Sequence, residues 1–347
     1  MARITMQQLA DACGLSRNTV SKVFNARGSV PETTRKLVLQ KAKELGYYQI
    51  FEESVPKPEI PRLQNIVLLT RKIPIPEDAH FGTFFLPAFM ERLGRAGYTL
   101  TICEVMPEER DALALPAHMV PEQTAGISVI EIFDPKYLNM LCSLGLPCIS
   151  IDAHAGAHLT HLKCDYILME NMASFTAVTE HVIAAGARRP GFVGDPEHCD
   201  SFYQRWLAFT GALARAGLSL DRSICILEED TPDYNDIDWI RARLEGMPVM
   251  PDALVCANDF LALGVMNALK SMGLSIPGDV MVTGFDGVPQ SAVVEPSLTT
   301  AQIPSTEIGY IAADLLLDRL QNPDRPFRTT YVQTTPVWRN STEKAGR

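Results

Sequence analysis

Between Ser16 and Lys22 the chain sets Arg17, Asn18, Ser21 and Lys22 at spacings that share one side of a short helix, with Val20 and Val23 on the other. A guanidinium and a carboxamide on such a face match the edges of bases in a DNA major groove: Arg pairs with guanine O6 and N7, Asn with adenine N6 and N7. A second set of groups lies downstream, at the ends of apolar runs. Thr70 and Arg71 follow NIVLL, Asp152 follows PCISI, Asn258 and Asp259 follow DALVCA, and Asp286 follows VMVTGF; Arg205 falls in a helical stretch over 200–217. Together these carboxylates, amide and guanidinium offer bidentate hydrogen bonds to vicinal hydroxyls. Phe81, Tyr203 or Phe285 adds an aromatic face for a sugar ring.

Each set needs elements to hold it. Thr5 caps a first helix over 6–12 that buries Leu9 and Ala10, Gly14 supplies a tight turn, and Ser16 caps a second helix over 17–24. A third helix over 32–45 covers the pair with Leu37, Val38, Ala42 and Leu45. Residues 1–47 carry a net charge of +5 on a chain whose total is −10. Opposite signs in two parts of one chain direct the small part toward a polyanion. The plainer reading is an amphipathic three-helix unit whose cations only solvate its surface.

From residue 65 onward, short runs that are apolar throughout alternate with helical patterns. One set runs to PCISID (147–152); a second opens at CDYILM (164–169) and includes SICILEE (223–229) and VMVTGF (280–285). Strands of this kind lie in parallel sheets covered on both faces, so the body is α/β with two lobes. Ligands of such sheets bind at the carboxyl ends of the strands. Each polar group there has a structural alternative, and Asn258 in particular can simply cap the helix that follows it.

Several classes of function are disfavoured. No apolar run reaches the roughly 18 residues of a membrane helix, and no secretory leader is legible, so a cytoplasmic location is expected. The eight cysteines show no CxxC pair and read as reduced core thiols. His154, His158 and His161 in DAHAGAHLTH have spacings that suit a metal, but a solvated turn is the simpler reading; no metal and no cofactor is expected. A sugar-processing enzyme is a rival, yet GxSxG, GxGxxG and P-loop patterns are all missing.

The stretch from residue 4 to 47, with TVSxVxN at 19–25, then VPETTR and LGY, resembles the headpiece of lac repressor family transcription regulators. CANDFLALGVMNALKSMGLSIPGDVMVTGFD followed by EPSLTT is similar to the effector domain of the same family. The resemblance implies a helix-turn-helix headpiece over 1–48, a linker or hinge over 49–64, and a periplasmic-binding-protein-like body. Its N-terminal lobe is expected over 65–163 plus about 300–328, and its C-terminal lobe over 164–299 plus about 329–342. By the same resemblance Arg17, Asn18 and Lys22 read bases, while Thr5, Ser16, Thr19, Ser21, Asn25, Thr34 and Tyr47 hold phosphates. Arg205, Asn258 and Asp286 fall at effector-contacting positions, Asp152 follows the fourth strand as in sugar-responsive members, and Phe81 matches an aromatic near the cleft.

The chain also departs from the family. In the linker, Glu53 stands where an Ala is usual and Pro56 where a Leu wedges into the minor groove, which disfavours a hinge helix; the expectation is a grip mainly through the major groove, with a weaker kink or with Ile50 or Phe51 as substitute wedge, and the plainer reading is a flexible linker. The first loop, RKIPIPEDAHFGTFF, is long; Thr231 replaces a frequent aromatic; Ile303 occupies a common Gln position, with Gln302 one place early. Arg71 and Lys72 at the pocket mouth suit a sugar acid or phosphate, although the plainer reading of an exposed basic pair is that it is only solvated. The expected protein is a repressor that binds an inverted-repeat operator as a homodimer under control of a small sugar or sugar derivative. A purine or a partner protein acting as corepressor is the alternative.

Overall fold

The computed structural model describes residues 5–24, 30–45, 64–71, 81–157, 162–229, 234 and 236–343; the side chains of Lys43 and of residues 81–83 lie outside that description. The chain divides into two compact units, Met1–Pro61 and Arg62–Arg347.

The first unit contains α1 (Met6–Cys13), α2 (Arg17–Phe24) and α3 (Glu32–Glu44). Thr5 caps α1 reciprocally: its hydroxyl accepts from Gln8 N at 3.3 Å and its N–H donates to Gln8 Oε1 at 2.8 Å. Gly14 ends α1 in the left-handed region at φ 65°, which a residue with a Cβ adopts only at a cost. Ser16 Oγ then accepts from Thr19 N at 3.1 Å and starts α2. Leu9, Ala10, Val20, Val23, Val38 and Ala42 form the core of this unit. Leu37 and Leu45 do not join it as expected; they are 42% and 37% exposed. Val38 and Ala42, one turn apart, take the inward face, Leu37 stands beside that face, and Leu45 follows the last helical residue.

The second unit runs β1 (Asn65–Thr70), α4 (Phe81–Arg95), β2 (Thr99–Glu104), α5 (Pro107–Asp111), β3 (Thr124–Ile130), α6 (Pro135–Ser143), β4 (Cys148–Ile151) and β5 (Asp165–Met169). It continues through α7 (Met172–Ala184), β6 (Pro190–Val193), α8 (Asp200–Arg215), α9 (Ile237–Glu245), β7 (Ala253–Cys256), α10 (Asp259–Ser271) and β8 (Met281–Thr283). The last elements are α11 (Pro289–Val293), β9 (Thr300–Gln302), α12 (Ser305–Gln321), β10 (Thr329–Val332) and β11 (Thr335–Val337). One parallel sheet has the order β10-β5-β4-β3-β1-β2; a second has the order β6-β7-β8, and β9 pairs antiparallel with β11. These are the two lobes, both α/β.

The first sheet is larger than the sequence suggested. β5 and β10, expected to belong to the second lobe, pair with β4 and with each other in the first. An apolar run does not disclose which sheet it enters. A buried ion pair ties these strands to α12: fully buried Asp165 at the start of β5 accepts a two-pronged pairing from Arg319 of α12, at 2.7 and 2.9 Å, and accepts from Arg328 N beside β10 at 2.7 Å.

The run SICILEE is likewise not a strand. Asp221 caps a short 3-10 turn over Arg222–Ile224, and only Ile226 bridges to β6, through Ile226 N to Phe192 O and Gly194 N to Ile226 O. The turn crosses so close to β6 that a Cβ at Gly191 would sit 2.1 Å from the Ile224 carbonyl oxygen. Among the described residues, no helix is long and apolar enough to cross a membrane.

Candidate functional site

The carboxyl ends of three strands present carboxylates in unusual backbone conformations. Glu131 after β3, Asp152 after β4 and Asp286 after β8 have φ of 58°, 63° and 114°, a region side-chain-bearing residues rarely enter. Neighbouring hydrogen bonds hold two of them. Asp152 N donates to Ile167 O, its carbonyl accepts from Ser150 Oγ, and its carboxylate accepts from Ala153 N at 2.8 Å. Asp286 is gripped by its N–H to Ala301 O and by Ile303 N to its own carbonyl. Strain of this kind persists only where the surroundings over-determine it, and it gathers at binding sites.

Arg205, on α8, is 2% exposed. Its Nε donates to Asn171 Oδ1 at 2.9 Å and its Nη1 to the Ala257 carbonyl at 2.8 Å; the same Nη1 lies 3.7 Å from Asp286 Oδ1. The guanidinium lies 3.8 Å from the centre of the Phe285 ring. Phe285 is therefore fully buried beneath Arg205 and does not offer a face to a ligand, contrary to the sequence expectation. Burial pushes the Asp286 carboxyl up to about 6; Arg205 pulls it down, while Asp152 and Glu131 push it further up. Asp152 and Glu131 follow strands of the first sheet, and Asp286 follows β8 of the second.

Asn258 caps α10, its Oδ1 accepting from Leu261 N at 2.9 Å. The cap uses the oxygen and leaves the amide nitrogen as a donor, so the structural and functional readings of this residue are compatible. Asp259 serves the fold: its Oδ2 accepts from Gly287 N and Val288 N at 2.9 Å each, and its Oδ1 from Thr300 Oγ1 at 2.5 Å, tying down the turn that carries Asp286. Burial still pushes this carboxyl up to about 7.

Beside Asp286 opens a pocket of about 250 Å³, lined by Phe84 of α4, Gly287, Val288, Gln302, Ile303 and Ser305 among others. Gln302, one place before the family's usual position, does reach the pocket. Arg71 stands exposed in the bend after β1, level with Glu131 because Thr70 is in register with Ile130. The Phe81 side chain, Lys72, His158, His161 and Thr231 lie outside the described residues.

Sequence reasoning missed Asn171, whose carboxamide links Arg205 to the Met169 carbonyl. It also missed Glu131, and the ring contacts Phe133–His198 (edge-on) and His198–Phe202 (tilted) at 5.2 and 5.1 Å, which run from the end of β3 to α8. Glu131 had a signal, since it follows β3 as Asp152 follows β4. Asn171 had none beyond its place at the start of α7.

In the first unit Arg17, Asn18 and Lys22 are exposed on α2, Ser21 is half-buried beside them, and Thr34 is half-buried in the first turn of α3. Thr5, Ser16 and Thr19 take part in the helix caps, with Ser16 Oγ and Thr19 Oγ1 2.8 Å apart. Asn25, Tyr47 and the linker residues Ile50, Phe51, Glu53 and Pro56 lie outside the described residues.

Residues 5–49 match the pattern of bacterial regulatory proteins of the lacI family, and residues 179–342 match that of a periplasmic binding protein-like domain. The HTH-type transcriptional repressor PurR of Glaesserella parasuis is 27% identical over 96% of both chains. Two solved structures share the fold. The transcriptional regulator CelR in complex with cellobiose superposes with a TM-score of 0.71 at 23% identity, covering 98% of this chain and 100% of that one. The lac repressor dimer bound to operator and the anti-inducer ONPF superposes with a TM-score of 0.67 at 21% identity, covering 98% and 99%. An exposed donor set on the second helix of a helix-turn-helix, joined to a two-lobed α/β body, agrees with these matches: the chain belongs to the lacI family of DNA-binding transcription regulators.

Proposed function

We propose that this protein is an operator-binding repressor that acts in the cytoplasm as a homodimer and is controlled by a small neutral sugar or related polyol held between the two lobes. The headpiece, residues 1–48, inserts α2 into the major groove, with Arg17, Asn18 and Lys22 on base edges and Thr5, Ser16, Thr19, Ser21, Asn25, Thr34 and Tyr47 on phosphates. One headpiece makes too few contacts to select a genomic site, hence two half-sites of an inverted repeat. In the body, Asp152, Arg205, Asn258 and Asp286 hydrogen-bond the ligand's hydroxyls, with Arg71 and Phe81 toward the mouth.

The observation that carries this reading is the buried Arg205 bound to Asn171 and Ala257 with Asp286 beside it, a fixed fork of donors next to acceptors at the strand ends. A sugar acid, which Arg71 and Lys72 suggested, meets three carboxylates with one buried cation among them, so a neutral polyol is the better fit. CelR was solved with cellobiose, which supports the sugar class.

The test is operator binding by fluorescence anisotropy at fixed salt with a panel of sugars, sugar acids, sugar phosphates and purines, after a thermal-shift screen for binding. A neutral sugar that raises the midpoint and weakens operator binding supports induction. A purine that tightens operator binding establishes the corepressor alternative instead. Effector and operator must change each other's affinity by one common factor. A panel member that binds the body and leaves operator affinity unchanged is not the effector.

A further inference from the structure

Three of the eight cysteines converge in the first lobe. Cys142 lies in the last turn of α6, Cys148 opens β4, and Cys164 immediately precedes β5. Because Ile149 is in register with Asp165, Cys148 at the start of β4 and Cys164 just ahead of β5 come side by side, and α6 brings Cys142 to them. The three sulfurs all lie within 4.8 Å of one another, with Cys148 Sγ and Cys164 Sγ 3.7 Å apart. All three residues are buried, and Cys142, at 8% exposure, is the most accessible.

Buried thiols are ordinary core residues when their sulfurs face apolar neighbours. These face one another, and they come from three separate segments. Among the described residues, no His, Asp or Glu offers a ligand atom to the same cluster. Three sulfurs around a central ion at about 2.3 Å form a triangle with sides of about 4 Å, close to the spacing found here. The donor set is soft and counts three. Soft thiolate sets suit copper(I), zinc and iron–sulfur clusters; structural zinc and the clusters call for four protein ligands, whereas copper(I) is satisfied by three.

We propose that Cys142, Cys148 and Cys164 form a three-sulfur site for a single copper(I) ion, separate from the effector cleft. Loading exchanges thiol protons for the ion, and keeping one thiol protonated limits the net charge left in the apolar core. The bound ion pins the last turn of α6 to the starts of β4 and β5. Cys142 provides the entrance.

The experiment uses the full-length, fully reduced chain, titrated anaerobically with copper(I) against a competing copper(I) chelator. The expected result is one tightly held equivalent, loss of three reactive thiols, a raised melting temperature, and an X-ray absorption spectrum showing sulfur neighbours only, at about 2.2–2.3 Å. Cys142→Ala lowers affinity by about 100-fold or more, since losing even an outer partner of a ligand costs about 10- to 100-fold. Cys103→Ser, altered in the same apolar cluster but outside the trio, leaves binding unchanged.

Three results overturn the proposal: no tight equivalent, nitrogen or oxygen in the first shell, or copper uptake undiminished when all three cysteines are replaced. If Cys142→Ala does not fold, the stoichiometry and absorption spectrum of the unaltered chain decide.

Discussion

Arg205 Nη1 lies 3.7 Å from Asp286 Oδ1 while donating to the Ala257 carbonyl at 2.8 Å. The guanidinium thus faces the carboxylate from a position that other bonds already hold, so the pair is an anchored donor with an acceptor left partly available. A site of this kind binds a hydroxylated ligand without first having to order its own side chains.

That anchoring makes Arg205→Lys a sharp test. Lysine keeps the charge but cannot reach Asn171 Oδ1 and Ala257 O with one planar fork. The variant is expected to bind the effector at least about 100-fold more weakly, about 2.7 kcal/mol, and to bind operator as before. Titration calorimetry and anisotropy measure the two. Equal loss in both assays contradicts a division of labour between body and headpiece.

Asp286 makes the body sensitive to pH. Burial raises its folded value to about 6, above the value of about 4 in an unfolded chain. A raised group contributes stability that is fully present below pH about 4 and lost as pH rises through about 6, because the folded state holds the proton more tightly across that window. Urea unfolding at a series of pH values should show this decline, and Asp286→Asn should flatten it while leaving the parallel contribution of Asp259. Effector binding runs the opposite way: hydroxyls donate to the ionised carboxylate, so affinity should weaken below pH about 6 in the native chain and lose that step in Asp286→Asn.

The buried Asp165–Arg319 pair should be costly to break from one side. Arg319→Met strands a carboxylate with no exposure, and a loss of about 3–5 kcal/mol is expected. Adding Asp165→Asn should recover part of that loss, which urea melts of the single and double variants can measure. Additive losses would indicate that the pair is uncoupled.

Arg17→Ala should cost about 1–3 kcal/mol at one operator position and relax preference there. Anisotropy over a set of single-base operator variants checks this. Effector binding by the body should not change.

The described helices of the headpiece were legible in the sequence, because a capped helix, a turn glycine and a second capped helix are local features read residue by residue. Thr5, Gly14, Ser16, Val20 and Val23 stand where spacing placed them; Leu37 and Leu45 did not, since their burial depended on how α3 docks. The polar residues at strand ends were legible too, as positions rather than as partners. Asn171 on Arg205 and Phe285 beneath its guanidinium are contacts between segments far apart in the chain, which periodicity does not encode.

What the amino-acid order determined by itself is the set of parts: a cationic helix-turn-helix, runs of buried parallel strand, and acids after the strands. Tertiary structure alone decided that β5 and β10 complete the first sheet and that Cys142, Cys148 and Cys164 meet. An apolar run satisfies either sheet equally. The choice between them rests on which buried charges and side chains find partners once distant segments pack, and that information is pairwise rather than local.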